Sequence, residues 1–188
     1  MTQERAAVAR LKAGDIGGLA SLVETYQLQA VRTAYLIVRD RSAAEDITQA
    51  AFIRAWERIG QFDASAPFGP WFLRSVANDA IKLAERTRRH VSVDAGRDGD
   101  PGGPPELVLV DGTPGPEQLV ELAEDAASLW ALLGRLPARQ RAVTVLRYYA
   151  GLTDTEIAER LDTPGATVRW RLFAARGRLR AWLGDPAE

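Results

Sequence analysis

Cysteine is absent from the 188 residues, which excludes disulfide staples, zinc–thiolate sites and thiol-based redox sensing. Histidine occurs once, as His90 behind Arg88 and Arg89. A metal needs several spaced ligands, so no metal site is expected on it. Lysine is nearly absent too, Lys12 and Lys82 being the only two among 24 basic residues. No apolar run approaches the ~18 residues of a membrane span. The start, Met1-Thr2-Gln3-Glu4-Arg5, lacks the apolar stretch of a signal peptide. A cytoplasmic protein without membrane insertion is the expectation. There is also no Gly-rich phosphate loop, no Ser/His pair and no ligand cluster, so neither an enzyme nor a cofactor is expected.

What is present is charge, and it is segregated. The formal net charge of −1 conceals an arginine-rich stretch from Arg135 to Trp182 and an acidic one from Val91 to Asp125, where Arg97 is the lone base. A basic module behind an acidic connector points toward nucleic acid. Strand signals are nearly missing, with alternation only at Leu107-Val108-Leu109-Val110. Helical periodicity fills 3–89 and 117–183, so an all-α chain of two small helical domains is predicted, 1–90 and 117–188. Between them, 91–116 is rich in Gly, Pro and acids, a flexible acidic linker. At ~3.3 Å per residue it reaches roughly 85 Å. Ser42-Ala43-Ala44-Glu45 and Thr153-Asp154-Thr155-Glu156 read as capping boxes, and Thr163-Pro164 as an N-cap followed by proline.

In the C-terminal half a short helix over 153–160, a turn at Leu161-Asp162 and a longer helix from Pro164 to about Leu183 predict a helix-turn-helix. At 100° per residue Val168, Leu172, Ala175, Leu179 and Leu183 share one arc, the core side. Arg169, Phe173, Arg176 and Arg180 fall on a flanking arc, with Trp170 further round. A recognition helix uses arginine against guanine edges and apolar groups against thymine methyls. Arg169 and Arg176 are the candidates for base or phosphate contact, and Phe173 and Trp170 for apolar contact. Trp170 could equally pack on a neighbouring helix. A dimeric helix-turn-helix regulator would look the same at this level.

The helix opened at Ser42 carries an apolar arc of Ile47, Ala51, Phe52, Ala55, Trp56 and Ile59. On another face Asp46, Gln49, Ile53 and Glu57 stand at helical spacing, suited to contact with another protein. A loop with Phe62, Asp63 and Ser65 leads to a helix beginning Trp71-Phe72-Leu73-Arg74 and ending in Arg86, Arg88 and Arg89. Cations beside aromatic surfaces are what single-stranded nucleic acid requires. Trp71 and Phe72 are themselves expected in the core.

These residues resemble a known family. Ala44-Glu45-Asp46-Ile47-Thr48-Gln49-Ala50-Ala51-Phe52-Ile53-Arg54-Ala55-Trp56 is similar to region 2.2 of extracytoplasmic-function (ECF) sigma factors. Trp71-Phe72-Leu73 with Val76-Ala77-Asn78 resembles regions 2.3–2.4. Leu136-Pro137, Arg141, Leu146-Arg147-Tyr148, Glu156-Ile157-Ala158 and Pro164 to Arg171 resemble region 4. The resemblance implies a transcription initiation factor that binds core RNA polymerase and directs it to promoters. It implies docking on the β′ clamp helices through Asp46, Gln49, Ile53, Arg54 and Glu57. It implies recognition of the melted −10 element through Phe62, Asp63, Ser65, Arg74, Asn78, Lys82, Arg86, Arg88 and Arg89. The −35 duplex would meet Thr167, Arg169, Trp170, Arg171, Phe173 and Arg176, with region 4 also touching the β flap, and an anti-sigma factor is an implied partner. The chain departs from the pattern at Lys82, where relatives often carry Asp, and at Gly69-Pro70, Trp170 and Ala174.

Overall fold

The computed structural model describes residues 3–91 and 116–183, with side chains for 3–87 and 125–183. Among the described residues there are eight helices and no strand: α1 (Gln3–Lys12), α2 (Gly17–Val38), α3 (Arg41–Arg58), α4 (Phe68–Val91), α5 (Pro116–Arg135), α6 (Ala138–Tyr148), α7 (Asp154–Arg160) and α8 (Gly165–Leu183). A short 3-10 turn, Ile59–Gln61, follows α3. Most of the predicted linker, with Leu107–Val110, lies outside the described residues. None of the described helices is long and apolar enough to cross a membrane.

The N-terminal half is α1–α4, with α2 packed on α1, α3 and α4. The α2–α3 corner is two residues long. Arg39 takes the left-handed conformation (φ 65°) and its N–H donates to Tyr35 O at 2.8 Å. Asp40, extended, then caps α3 by accepting from Ala43 N–H at 2.9 Å. The cap is therefore Asp40, not the Ser42 box expected from sequence. Ser42 is already inside the first turn, because the left-handed corner sets the start two residues earlier.

An aromatic core joins α3 to α4. Phe52 stacks on Phe72 at 4.3 Å, Phe68 on Phe72 at 5.6 Å, and Phe62 meets Trp71 at 4.9 Å. Tyr26 from α2 closes the group against Phe68, its hydroxyl donating to Glu4. Burial pushes that hydroxyl's pKa up, and its bond to Glu4 adds to the effect. The departure at Gly69 has a cause here. A Cβ on Gly69 would lie 2.6 Å from Tyr26 Cε1, so the first turn of α4 admits the ring only with glycine.

In the C-terminal half the Thr153 capping box is present, with Thr153 Oγ1 accepting from Glu156 N–H and the Glu156 carboxylate accepting from Thr153 N–H. The turn to α8 passes through Asp162 (φ 46°), and Thr163 N–H reaches back to Ala158 O, a Schellman-like closure. Thr163 does not cap α8 as expected. Its hydroxyl donates to Leu161 O, and α8 starts at Gly165, beyond Pro164. Val168, Leu172 and Ala175 are buried and Leu179 packs against the Leu133–Leu136 cluster, but Leu183, the last residue of the helix, is exposed.

The halves are not separate. α6 packs against α2 and α4, and one apolar cluster runs from Ala30, Ala34 and Ile37 through Val76 to Ala142, Val143 and Leu146. Trp130 of α5 stacks on Tyr35 at 4.7 Å with the Arg39 guanidinium 4.6 Å above it.

Candidate nucleic-acid interface

Three surfaces carry the residues singled out from sequence. On α3 the buried side is Ile47, Ala51, Phe52 and Ala55, which leaves Asp46, Gln49, Ile53 and Glu57 facing outward. Trp56 was expected on the buried arc and is instead half exposed, at 50%, beside Ile53 at 49%. It stands at the edge of the apolar arc, about two helical turns on from exposed Gln49. Arg54 leaves this stripe. Its guanidinium pairs with Asp79 of α4 and donates to Ser75 Oγ at 3.1 Å, so it belongs to the neighbouring groove.

That groove, about 510 Å³, runs between α3 and α4. Arg54, Arg58, Trp71, Arg74, Asn78 and Lys82 line it, a basic cleft with one aromatic wall. Its volume falls in the ~300–1,000 Å³ range of ligand-sized clefts. Lys82, the departure from the family pattern, faces a carboxylate supplied from its own helix, Asp79 Oδ1 at 3.9 Å. The Asn78 side-chain amide donates to Arg160 O of α7 at 3.3 Å. Lys82 and Arg86 are exposed, and the side chains of Arg88 and Arg89 lie outside the described ones.

Phe62 is corrected by the structure. It is 3% exposed, wedged between Phe68 and Trp71, and Lys12 Nζ donates to its carbonyl at 2.6 Å. An aromatic in that position shapes the loop instead of offering a stacking face. The exposed part of the loop is Asp63–Pro67, with Asp63 and Ser65 carrying its polar side chains. Ser65 N–H and hydroxyl donate to the Asp63 carboxylate at 2.9 and 2.8 Å, and these two bonds hold its pKa below the ordinary value. An ionised carboxylate only accepts, so it suits an exocyclic amino group of a base.

On α8, Arg169, Trp170 (62% exposed), Phe173 (76%) and Arg176 form an outward face, with Thr167 half-buried at its N-terminal edge. Trp170 packs into no core. Arg176 Nε donates to the hydroxyl of Tyr148 at 2.7 Å, and Tyr148 is itself exposed at the end of α6. Tyr148 and Arg58 join these candidate surfaces although the sequence reading did not assign them to a site; both sit at helix ends, where periodicity assigns a face poorly. Arg171 stands apart from this face. It is half-buried, its pKa lowered first by burial and then by Arg139, and it shares the field of Glu85.

A basic cleft on one helical unit and a helix-turn-helix with an exposed arginine–aromatic face on another define a two-part nucleic-acid-binding protein. The Sigma-70 region 2 family matches residues 22–90 and the Sigma-70 region 4 family residues 132–181. The chain is 31% identical over 178 residues to the ECF RNA polymerase sigma factor SigW of Bacillus subtilis (strain 168), covering 95% of each. It is 30% identical over 176 residues to the ECF RNA polymerase sigma-E factor of Escherichia coli (strain K12), covering 90% of this chain and 88% of that one. In fold it matches CnrH, solved in complex with the cytosolic domain of CnrY, with a TM-score of 0.69 at 21% identity over 98% of this chain and 99% of the other. It also matches RpoE of Bartonella quintana, solved with the anti-sigma factor NepR (TM-score 0.63, 20% identity, 88% and 98% covered). The chain belongs to the ECF sigma factors, transcription initiation factors that direct RNA polymerase to promoters. A self-sufficient dimeric regulator loses its support.

Proposed function

We propose a division of labour among the three surfaces. The α3 stripe of Asp46, Gln49, Ile53, Trp56 and Glu57 docks on the polymerase clamp. The α3–α4 groove, with Asn78 and its basic rim, takes a base of the melted −10 strand. The outward face of α8, with Tyr148 holding Arg176, reads the −35 duplex. The observation that carries this reading is the separation of chemistries: apolar and acidic groups are exposed on α3, basic and aromatic ones in the groove and on α8. Polymerase contact needs a desolvated apolar centre, melted DNA needs cations beside a stacking wall, and duplex reading needs arginines on a helix that enters the major groove. The solved complex of the Bartonella RpoE with NepR supports an anti-sigma partner for this chain as well.

The test is run-off transcription with core polymerase. Specific transcripts should require the protein, and Asp46→Ala with Gln49→Ala should abolish them while leaving thermal unfolding unchanged. Transcripts that do not depend on the protein would overturn the reading.

A further inference from the structure

The loop between α3 and α4 is held at both ends by α1, a helix far from it in sequence. At the loop's start the Phe62 carbonyl, closing the 3-10 turn, accepts from Lys12 Nζ at 2.6 Å. At its end the Phe68 N–H, the first of α4, donates to Glu4 Oε1 at 3.1 Å. The Tyr26 hydroxyl donates to the other oxygen of the same carboxylate. Helix ends leave such carbonyl and N–H groups without partners of their own. Pro67, just ahead of α4, has no side-chain acceptor to cap it, so the cap comes from α1. A carboxylate also suits a helix N-terminus and an ammonium a terminal carbonyl.

Glu4 and Lys12 stand near opposite ends of α1, about 12 Å apart along its axis at ~1.5 Å per residue. The helix itself is fixed. It buries Ala7, Val8 and Leu11 and packs on α2, where a Cβ on Gly18 would overlap the Ala7 carbonyl. Between the two anchors Asp63–Pro67 is exposed, folded into a turn in which Ala66 N–H donates to Asp63 O at 3.0 Å. The anchored residues also back the groove. Phe62 and Phe68, both buried, flank Trp71 at 4.9 and 5.6 Å, and Trp71 with Gln61 lines the groove wall. The Lys12 charge adds to the two Ser65 bonds that keep the Asp63 carboxylate's pKa low. Neither anchor lines the groove, so each acts on where the loop stands and not on the surface offered there.

Resting on the proposed −10 reading, we infer that Glu4 and Lys12 are positioning residues for base selection. α1 fixes the register of the Asp63–Ser65 turn beside the groove, and a single strand meets an acceptor already in place. Ordering the loop during binding would cost conformational entropy for every residue fixed, and anchors supplied by the fold remove that cost beforehand. A loosely held acceptor adjusts to a wrong base. A fixed one is left unpaired by it, which is where discrimination arises.

The test uses the full chain, alone and bound to core polymerase. Amide hydrogen exchange of the chain alone, read by NMR, should speed up at Ser65 and Ala66 in Lys12→Met and at Phe68 also in Glu4→Ala, about tenfold for one lost hydrogen bond. Lys12→Arg and Glu4→Gln keep the donor for Phe62 and the acceptor for Phe68, and should restore the parent rates. Arg10→Met removes the same charge from the same helix, but Arg10 pairs with Asp15, so the loop should not respond. The holoenzyme is then offered a pool of random single strands of about 12 nucleotides, and the bound strands are sequenced. Preference at the position the parent selects most strongly should fall about tenfold in Glu4→Ala and Lys12→Met and return in the two conservative variants. Core polymerase binding should stay unchanged throughout. Exchange unmoved in both variants, preference kept while exchange or melting temperature changes, or an equal loss in Arg10→Met would each overturn the inference. A parent holoenzyme that selects no strand would remove the −10 reading, while the exchange rates would still report whether α1 holds the loop, so the two failures are distinct.

Discussion

The outward faces of α3 and α8 are built alike and charged oppositely. Each helix buries a narrow stripe of small and aliphatic residues, Ile47, Ala51 and Ala55 on one, Val168, Leu172 and Ala175 on the other. Each then exposes two large apolar groups at the centre of its free face, Ile53 with Trp56 and Trp170 with Phe173. The flanking groups differ: Asp46 and Glu57 on α3, Arg169 and Arg176 on α8. Exposed apolar groups mark an interaction surface in both cases. On the proposed reading, the sign of the surrounding charge suits a protein for one and a phosphate backbone for the other.

The largest way to break this symmetry is to compare aromatics inside the halves with those on the faces. Phe72 is fully buried between Phe52 and Phe68. Phe72→Ala should cost ~3–5 kcal/mol of stability through transfer and cavity terms. Phe173→Ala, at the opposite extreme of exposure, should stay within about 0.5 kcal/mol. Urea denaturation followed by circular dichroism measures both. Equal losses would mean that α8 packs its outward face in solution.

A smaller but sharper effect is a double dissociation. Trp56→Ala should weaken core polymerase binding by ~2 kcal/mol or more, as expected for a central aromatic anchor, and leave −35 duplex binding alone. Arg176→Ala should do the reverse, costing ~1–3 kcal/mol if it reads a base. A loss that is uniform across duplex sequences would mark Arg176 as a phosphate contact. Polymerase pull-down and duplex titration at fixed salt read the two arms. Were either variant to weaken both partners equally, the division by charge would fail.

Much of this arrangement was legible in the sequence, and the misses share a physical origin. The 3.6-residue period placed most of the core sides of α3 and α8, and segregated charge marked the arginine-rich C-terminal half. Periodicity ranks residues by angle alone, so it misassigned Trp56, which lies at the rim of its arc. It had no grip on Phe62 in a loop, which turned out buried. Ser42 with Glu45 three residues on has the spacing of a capping box, while Asp40 is an equally good capping residue. Only the left-handed corner at Arg39 decides between them. The packing of the two halves against each other was not legible at all, since a 26-residue tether permits almost any placement of the second half. What fixes it are contacts far apart in sequence, Glu85 with Arg139 and Tyr35 with Trp130.

The smallest predicted effect concerns the helix that presents α8. Thr153 and Glu156 close each other's free N–H groups, and the Glu156 carboxylate accepts from the Thr153 N–H and hydroxyl, each at 2.8 Å. These bonds, the backbone one foremost, hold the Glu156 pKa below its ordinary value of 4.5. The unfolded chain therefore takes up the proton more readily than the native one. The contribution is complete above about pH 4.5 and is lost as pH falls through the lower, native value. Thr153→Ala should cost ~1 kcal/mol at neutral pH. Glu156→Gln should melt below the parent at pH 7, and the gap should narrow at pH values well under 4.5, where the parent too carries a neutral side chain. A gap that stays constant with pH would show that shape and hydrogen-bond count, not charge, hold the cap. In that case α7 orients the reading helix without any help from the carboxylate's ionisation.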